Sequence, residues 1–492
     1  MLGCKICFVD MMRAGLIAIP VLLGALSADA GIIVQQVEAF ENQPTDTHYA
    51  PIDFGGATTA TDPGYAGITF HAQGSTTDTL SAHAHDVSAR FYGPATVAAP
   101  YVSDVYSNTA DNFTNDLNTQ PTLDIAQVLP NGFGNGIKVS NHSYVGDFGD
   151  NTTDENAIRR IDYIVNAEDV VMVAGAVTDT SGVFANQNIV WTSRNALSVR
   201  GNNSGTPFNV SLTGPGKRRA DLWQDEFASY ATGRVSGYAT ALIGQAQSAG
   251  QTDATHNQVV RSLLMTGADK ISANGSGGTI AYDPTLPNHL SVTSGAGKAN
   301  YAASLALLQS GERTAQTVSG GAVTGPATAA PLGWTYGTVA ANGRSVVLLQ
   351  VPAGQSISTL TATLNWNVTQ QSDALTIDTS NAGQIFANLD LELRPVTLVG
   401  GQYLIGSQFA DPNLNSDSTN DNAESLYFNG TTTLPAGYYA LDVLNNDPAN
   451  ATPFGLSYNL ATTALTPEPT SGAILLCVAV AAFGRRRRLG TR

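Results

Sequence analysis

The chain has 492 residues, with 39 Asp and Glu against 23 Lys and Arg and a formal net charge of −16. Such a surface repels nucleic acid and anionic lipid, so neither is an expected partner. The length predicts two or three domains with enough apolar residues for true cores.

Arg13 precedes an apolar run over 14–26, and Ala28, Asp29 and Ala30 follow it, so residues 1–30 are predicted to form a signal peptide. Cys4 and Cys7 fall in that segment and Cys477 in the tail. The exported body is therefore expected to hold no disulfide, no thiolate metal ligand and no thiol nucleophile. Residues 31–40 (G-I-I-V-Q-Q-V-E-A-F) predict a strand with Glu38 near its end, and 41–80 are loop-rich. Residues 81–92 contain H-A-H-D-V-S-A-R-F-Y, which places Ala84, Val87 and Phe91 on one helical face. Strands are expected at 137–144, 170–176 and 190–199, with a helix over 156–166.

Residues 227–242 (F-A-S-Y-A-T-G-R-V-S-G-Y-A-T-A-L) space Val235, Tyr238, Ala239 and Leu242 with the period of a buried helix face. Small residues at Ala231, Ser236, Gly237 and Ala239 let that helix lie close to a neighbour. Ser229 stands at the mouth of the helix, predicted over 236–248. It is either an N-cap or a nucleophile placed where free backbone N–H groups favour developing negative charge. A short helix follows at 259–266. Apolar strands alternating with helices predict an α/β domain over 31–314, its parallel sheet covered by helices on both faces.

Composition changes near 315, and the Gly-, Ala- and Thr-rich stretch 315–335 reads as a linker. Period-two segments at 345–351, 360–368, 388–394, 425–428, 438–443 and 454–460 predict an antiparallel β-sandwich over 336–466. The acidic loops 147–155 and 411–424 hold hard oxygen ligands without EF-hand spacing, so structural calcium and plain solvated loops are both open. No G-x-S-x-G elbow, HExxH or Walker loop occurs.

The serine segment resembles that of the subtilisin-like proteases (subtilases), G-T-S-M-A-x-P-x-V-x-G. Ala228, Ser229, Ala231, Val235 and Gly237 match it, Phe227 stands for Gly and Gly233 for Pro. The family's H-G-T-H-V-A-G resembles residues 83–89, with His83 in the catalytic place and His85 in that of Thr. The resemblance implies a triad in the order acid, His, Ser, here Glu38, His83 and Ser229, with Glu38 replacing Asp. Asp53 and Asp62 are the alternative acids. Residues 139–144 resemble the strand that pairs with extended substrate, which implies peptide binding along Val139, Ser140, Asn141 and Ser143. The Asn that donates to the oxyanion corresponds to Ala176, with Asn186 and Asn188 as substitutes. Residues 195–199, 217–222 and 294–300 resemble N-A-I-x-V-G, K-P-D-I/L and G-x-G-x-V-N, so the likeness runs in order over about 33–312.

The implied protein is a subtilisin-like serine endopeptidase that needs no cofactor and acts on peptide or protein as a monomer. Ala176, Glu38 and Gly233 point instead to a catalytically impaired homologue serving as a surface peptide-binding or structural module. Residues 467–492 (P-E-P, an apolar run over 472–484, Arg485 to Arg488) resemble a PEP-CTERM sorting signal. This implies export, transient membrane contact, a sorting machinery as partner, and the cell envelope or extracellular surface of a bacterium. The segment after 411 resembles sandwich domains appended to secreted bacterial peptidases, which implies an accessory role.

Overall fold

A computed structural model describes residues 31–464, apart from 40–47, 74–78, 120–127, 130–135, 145, 147, 149–150, 177–188, 203–216, 218, 275–277, 371–383, 420 and 431–433. The expected signal peptide, the sorting tail, Asn186 and Asn188 lie outside the described residues.

The first half contains β1 (Ile32–Glu38), β2 (Thr59–Ala60), β3 (Thr69–Ala72), α1 (Ala82–Phe91), β4 (Val102–Thr109), α2 (Ala110–Thr119) and β5 (Val139–His142). It continues through α3 (Asn151–Glu168), β6 (Val171–Ala176), β7 (Leu197–Gly201), β8 (Leu222–Gln224), α4 (Ala228–Ser248), α5 (Asn257–Thr266) and α6 (Tyr301–Gln309). These strands form one sheet in the order β8-β7-β6-β5-β1-β4-β3-β2, parallel throughout except where β2 meets β3. Strand alternation sorts the side chains. Val171 and Val173 pack with Val235, Leu242 and Leu263 of α4 and α5. Met172, Ala174 and Ala176 pack with Ile161, Ile164 and Val165 of α3. Both faces are covered, which is why β6 reads as an unbroken apolar run.

Two expectations shift. The strand expected at 190–199 begins only at Leu197, because Ser193 Oγ and Asn195 N donate to Asp162 Oδ1 at 2.6 and 2.8 Å and hold the chain in a turn. The helix expected from 236 starts eight residues earlier, at Ala228.

The second half is an antiparallel β-sandwich. Its strands are β9 (Leu332–Val339), β10 (Arg344–Val351), β11 (Gln355–Trp366), β12 (Leu389–Val399), β13 (Gln402–Ile405), β14 (Ala423–Phe428), β15 (Gly437–Asn445) and β16 (Thr452–Ala464). One sheet runs β9-β16-β11-β14, and the other contains β10-β15-β12-β13. Leu349, Leu391 and Leu441 of the second face Leu360, Leu364 and Leu456 of the first across a shared core. The stretch read as a linker also contributes to this half: Gln316–Thr317 pairs with β10, and Ala322–Val323 pairs with β13.

Buried polar contacts join the halves. Arg219 Nε and Nη2 lie 2.7 and 2.9 Å from the Asp421 carboxylate, and Nη1 lies 2.5 Å from Asp221 Oδ1. Lys217 Nζ reaches Asp221 Oδ2 at 2.5 Å, and burial lowers its pKa to about 8. Asn195 exchanges two 2.8 Å hydrogen bonds with the backbone of Val368. The acidic stretch 411–424 is thus largely engaged within the protein: Asp421 holds Arg219, Glu424 takes the Ser416 hydroxyl, and Asp411 Oδ1 accepts from Asn413 N. Among the described residues, no group of three or more His, Cys, Asp or Glu is placed to hold a metal.

α4 lies directly on the backbone of α1. A Cβ added to Gly233 would stand 2.8 Å from the Val87 carbonyl oxygen, and one on Gly237 would stand 2.6 Å from that of Phe91. Gly233→Val should therefore force the helices apart at a cost of about 1–3 kcal/mol. Thermal denaturation checks this; an unchanged melting temperature contradicts the close approach. Asp421→Ala removes one of the two carboxylates that hold the buried Arg219 guanidinium and should destabilise the chain by about 3 kcal/mol in chemical denaturation.

Candidate active site

In β1, the period of two puts Gln36 and Glu38 on one face, toward α1. Glu38 ends the strand with 1 % of its surface exposed. α1 begins at Ser81, whose Oγ accepts from Ala84 N at 3.1 Å, so the capped turn presents His83 as the second helical residue. His83 Nδ1 stands 3.0 Å from Glu38 Oε2. The other carboxylate oxygen accepts Gln36 Nε2 at 3.0 Å. Burial raises the Glu38 pKa above the ordinary glutamate value, while His83 and Gln36 oppose the rise. A carboxylate against Nδ1 selects the tautomer whose Nε2 takes up a proton.

Ser229 is the second residue of α4 and not its cap. Phe227 occupies the cap position without a side-chain hydrogen bond, and Ala231 N bonds the Phe227 carbonyl at 2.8 Å. The amides before Ala231 have no intrahelical acceptor. Ser229 Oγ donates to the Ser143 carbonyl at 3.3 Å. The next ring, Tyr230, stacks with His83 at 6.2 Å between centroids and donates to Asp86 Oδ2 at 3.0 Å. The first turns of α1 and α4 therefore face each other. Gly201, at the end of β7, allows this placement: a Cβ there would meet Ala228 N and Glu226 O at 2.5 Å.

The expected peptide-binding strand is corrected. β5 lies between β1 and β6, paired with both along Val139, Ser140, Asn141 and His142. Its backbone groups are spent in the sheet, so Val139, Ser140 and Asn141 cannot add a peptide strand. Asn141 and Ser143 brace α4 instead, while Ser140 Oγ donates to Gln35 Oε1 at 2.6 Å. Asn141 Nδ2 donates to Ser236 Oγ at 2.9 Å, and Ser143 Oγ lies 2.8 Å from Asn141 Oδ1 and 3.1 Å from the Ser229 carbonyl.

Ala176 is wholly buried among apolar side chains and offers no donor. His85 turns away, with Nδ1 3.2 Å from the Pro51 carbonyl. Asp53 and Asp62 accept from Gly55 N and Gly64 N in local turns. His142 is held neutral, its pKa lowered to about 3 by burial. Two residues near the acid escaped the sequence reading, Gln36 and Tyr92. Tyr92 OH donates to Gln36 Oε1 at 2.6 Å, and Gln36 Nε2 also reaches the Ala84 carbonyl at 2.9 Å. The available signal was Q-x-E in a buried strand, two polar groups on one face. Glu38 and His83 are in contact, whereas Ser229 lies on the facing helix turn with its Oγ donating to the Ser143 carbonyl; a carboxylate, an imidazole and a hydroxyl are the side-chain types of general-base and nucleophilic catalysis.

No family model and no curated protein matches the chain. Among solved structures it is similar to the patellamide maturation protease PatA, at 18% identity and TM-score 0.33, covering 57% of this chain and 98% of that one. It is also similar to the serine protease of Aeromonas sobria, at 10% identity and TM-score 0.33, covering 87% and 88%. A third likeness is to tripeptidyl peptidase 2, at 10% identity and TM-score 0.30, covering 79% of this chain and 41% of that one. At such scores the likeness assigns no residue a role.

Proposed function

We propose that the chain is an exported, surface-sorted serine endopeptidase of subtilisin-like type, with Ser229 as nucleophile, His83 as base and Glu38 as the orienting acid. The observation that carries this reading is the 3.0 Å contact between His83 Nδ1 and the buried Glu38 carboxylate. In the proposed step, Ser229 Oγ bonds to the peptide carbonyl carbon as its proton passes to His83 Nε2. Collapse breaks the C–N bond, the leaving amine takes that proton, and water then hydrolyses the acyl-enzyme. The reaction needs no cofactor, and calcium in an acidic loop would serve stability alone. The protein is read as a monomer held briefly at the membrane by its tail, in the bacterial envelope or at the cell surface.

A second reading, an impaired homologue that binds peptide or serves a structural role, is favoured by Ala176, which supplies no oxyanion donor. One missing donor costs about 10²–10³ in turnover. The first reading therefore predicts a slow enzyme.

Two measurements test these readings. The full chain should react with a fluorophosphonate probe, and Ser229→Ala should abolish the labelling. Folded protein that shows no Ser229-dependent labelling leaves only the second reading. Glu38→Gln should lower kcat by about 10³–10⁴-fold yet leave the melting temperature at pH 7 equal or higher. A raised carboxyl pKa means the fold favours the protonated form, so stability present below the ordinary glutamate range is lost as pH rises. A large drop in melting temperature contradicts that sign.

A further inference from the structure

We propose that Gln36 is a positioning residue for the acid, with Tyr92 fixing its orientation; this rests on Glu38 and His83 being acid and base. Gln36 is fully buried, and its amide nitrogen donates to Glu38 Oε1 at 3.0 Å and to the Ala84 carbonyl at 2.9 Å. Its amide oxygen accepts the Tyr92 hydroxyl at 2.6 Å. The amide has one orientation under these contacts. Reversed, it would set an oxygen against a carboxylate and a carbonyl, and leave the Tyr92 hydroxyl facing an NH₂ group.

The brace answers a specific difficulty. A glutamate has one more rotatable bond than an aspartate, so its carboxyl can swing while the strand stays still. Gln36 occupies one oxygen and directs the other at His83. The same NH₂ group holds the backbone one residue beyond His83, so acid and base are tied to one side chain. Tyr92, at the far end of α1, is 1 % exposed and locks that side chain through its hydroxyl. A misplacement of about 1 Å at a catalytic group costs on the order of 10²-fold in rate. The brace thus acts on turnover and leaves substrate contacts alone.

Gln36→Leu keeps the volume and removes all three hydrogen bonds, whereas Tyr92→Phe removes only the one that orients the amide. Both are made in the full chain and compared with the parent by kcat and KM on a peptide ester, by thermal denaturation, and by the NMR resonance of the His83 Nδ1 proton. The expected result is a fall of about tenfold or more in kcat for Gln36→Leu, with unchanged KM and a weakened or shifted Nδ1 proton signal. Tyr92→Phe should follow in the same direction by a smaller factor. Parental kcat and an unmoved Nδ1 signal in folded Gln36→Leu overturn the proposal. Should Gln36→Leu fail to fold, Tyr92→Phe decides: a parental Nδ1 signal and kcat overturn the proposal, and a shifted signal supports it. The resonance reads the brace even if the parent is inactive, and Ser229-dependent labelling of the parent separately tests the peptidase reading.

Discussion

The site depends on burying one carboxylate. Glu38 ends a central strand with almost no exposed surface, and an isolated carboxylate there would cost several kcal/mol. Its partners come from two places, the Gln36 amide on its own strand and the His83 imidazole on α1. Supplying them requires α1 to dock at one height and one rotation over β1. Ser81 starts that helix at the needed residue, and Tyr92 anchors its other end to Gln36. The polar requirements of a single side chain thus set the placement of the helix that carries the imidazole.

The hydroxyl is placed from the opposite direction. α4 rests on the backbone of α1 through Gly233 and Gly237, and its start passes over Gly201 at the end of β7. Ser143 and Asn141 hold the first turns from below. The approaches at Gly233 and Gly237 are short and against backbone carbonyls, so the helix pair behaves as one packed unit with little room to slide. Gly233 thus has a packing reason of its own.

The sandwich also helps to place the serine segment. Asp421 grips Arg219, and Arg219 and Lys217 both hold Asp221, which leads directly into β8. The chain then runs through Glu226 to Ser229, so the second half pins the segment that delivers the serine. Trp334 and Ala423 of the sandwich enter the core of the α/β half as well. An interface built of desolvated charges tolerates the loss of one partner poorly.

Much was legible in the sequence wherever the cause is local. The strand ending at Glu38, the helix around His83, the tight helix after Ser229 and the alternating sandwich strands all follow from periodicity, capping and small-residue spacing. The pairing of Glu38 with His83 is an expectation carried by the family resemblance, with Asp53 and Asp62 as alternatives. Only the tertiary structure decided that β5 lies between β1 and β6, which removes Val139, Ser140 and Asn141 from peptide binding. It likewise decided that Asp421 pairs with Arg219 and that the Gln36 amide donates to Glu38. The physical reason is range: a residue's rotation about its own strand or helix is set by neighbours within a few positions. The partner of a polar side chain is set instead by residues as far apart as Arg219 and Asp421, which only the packed chain brings together.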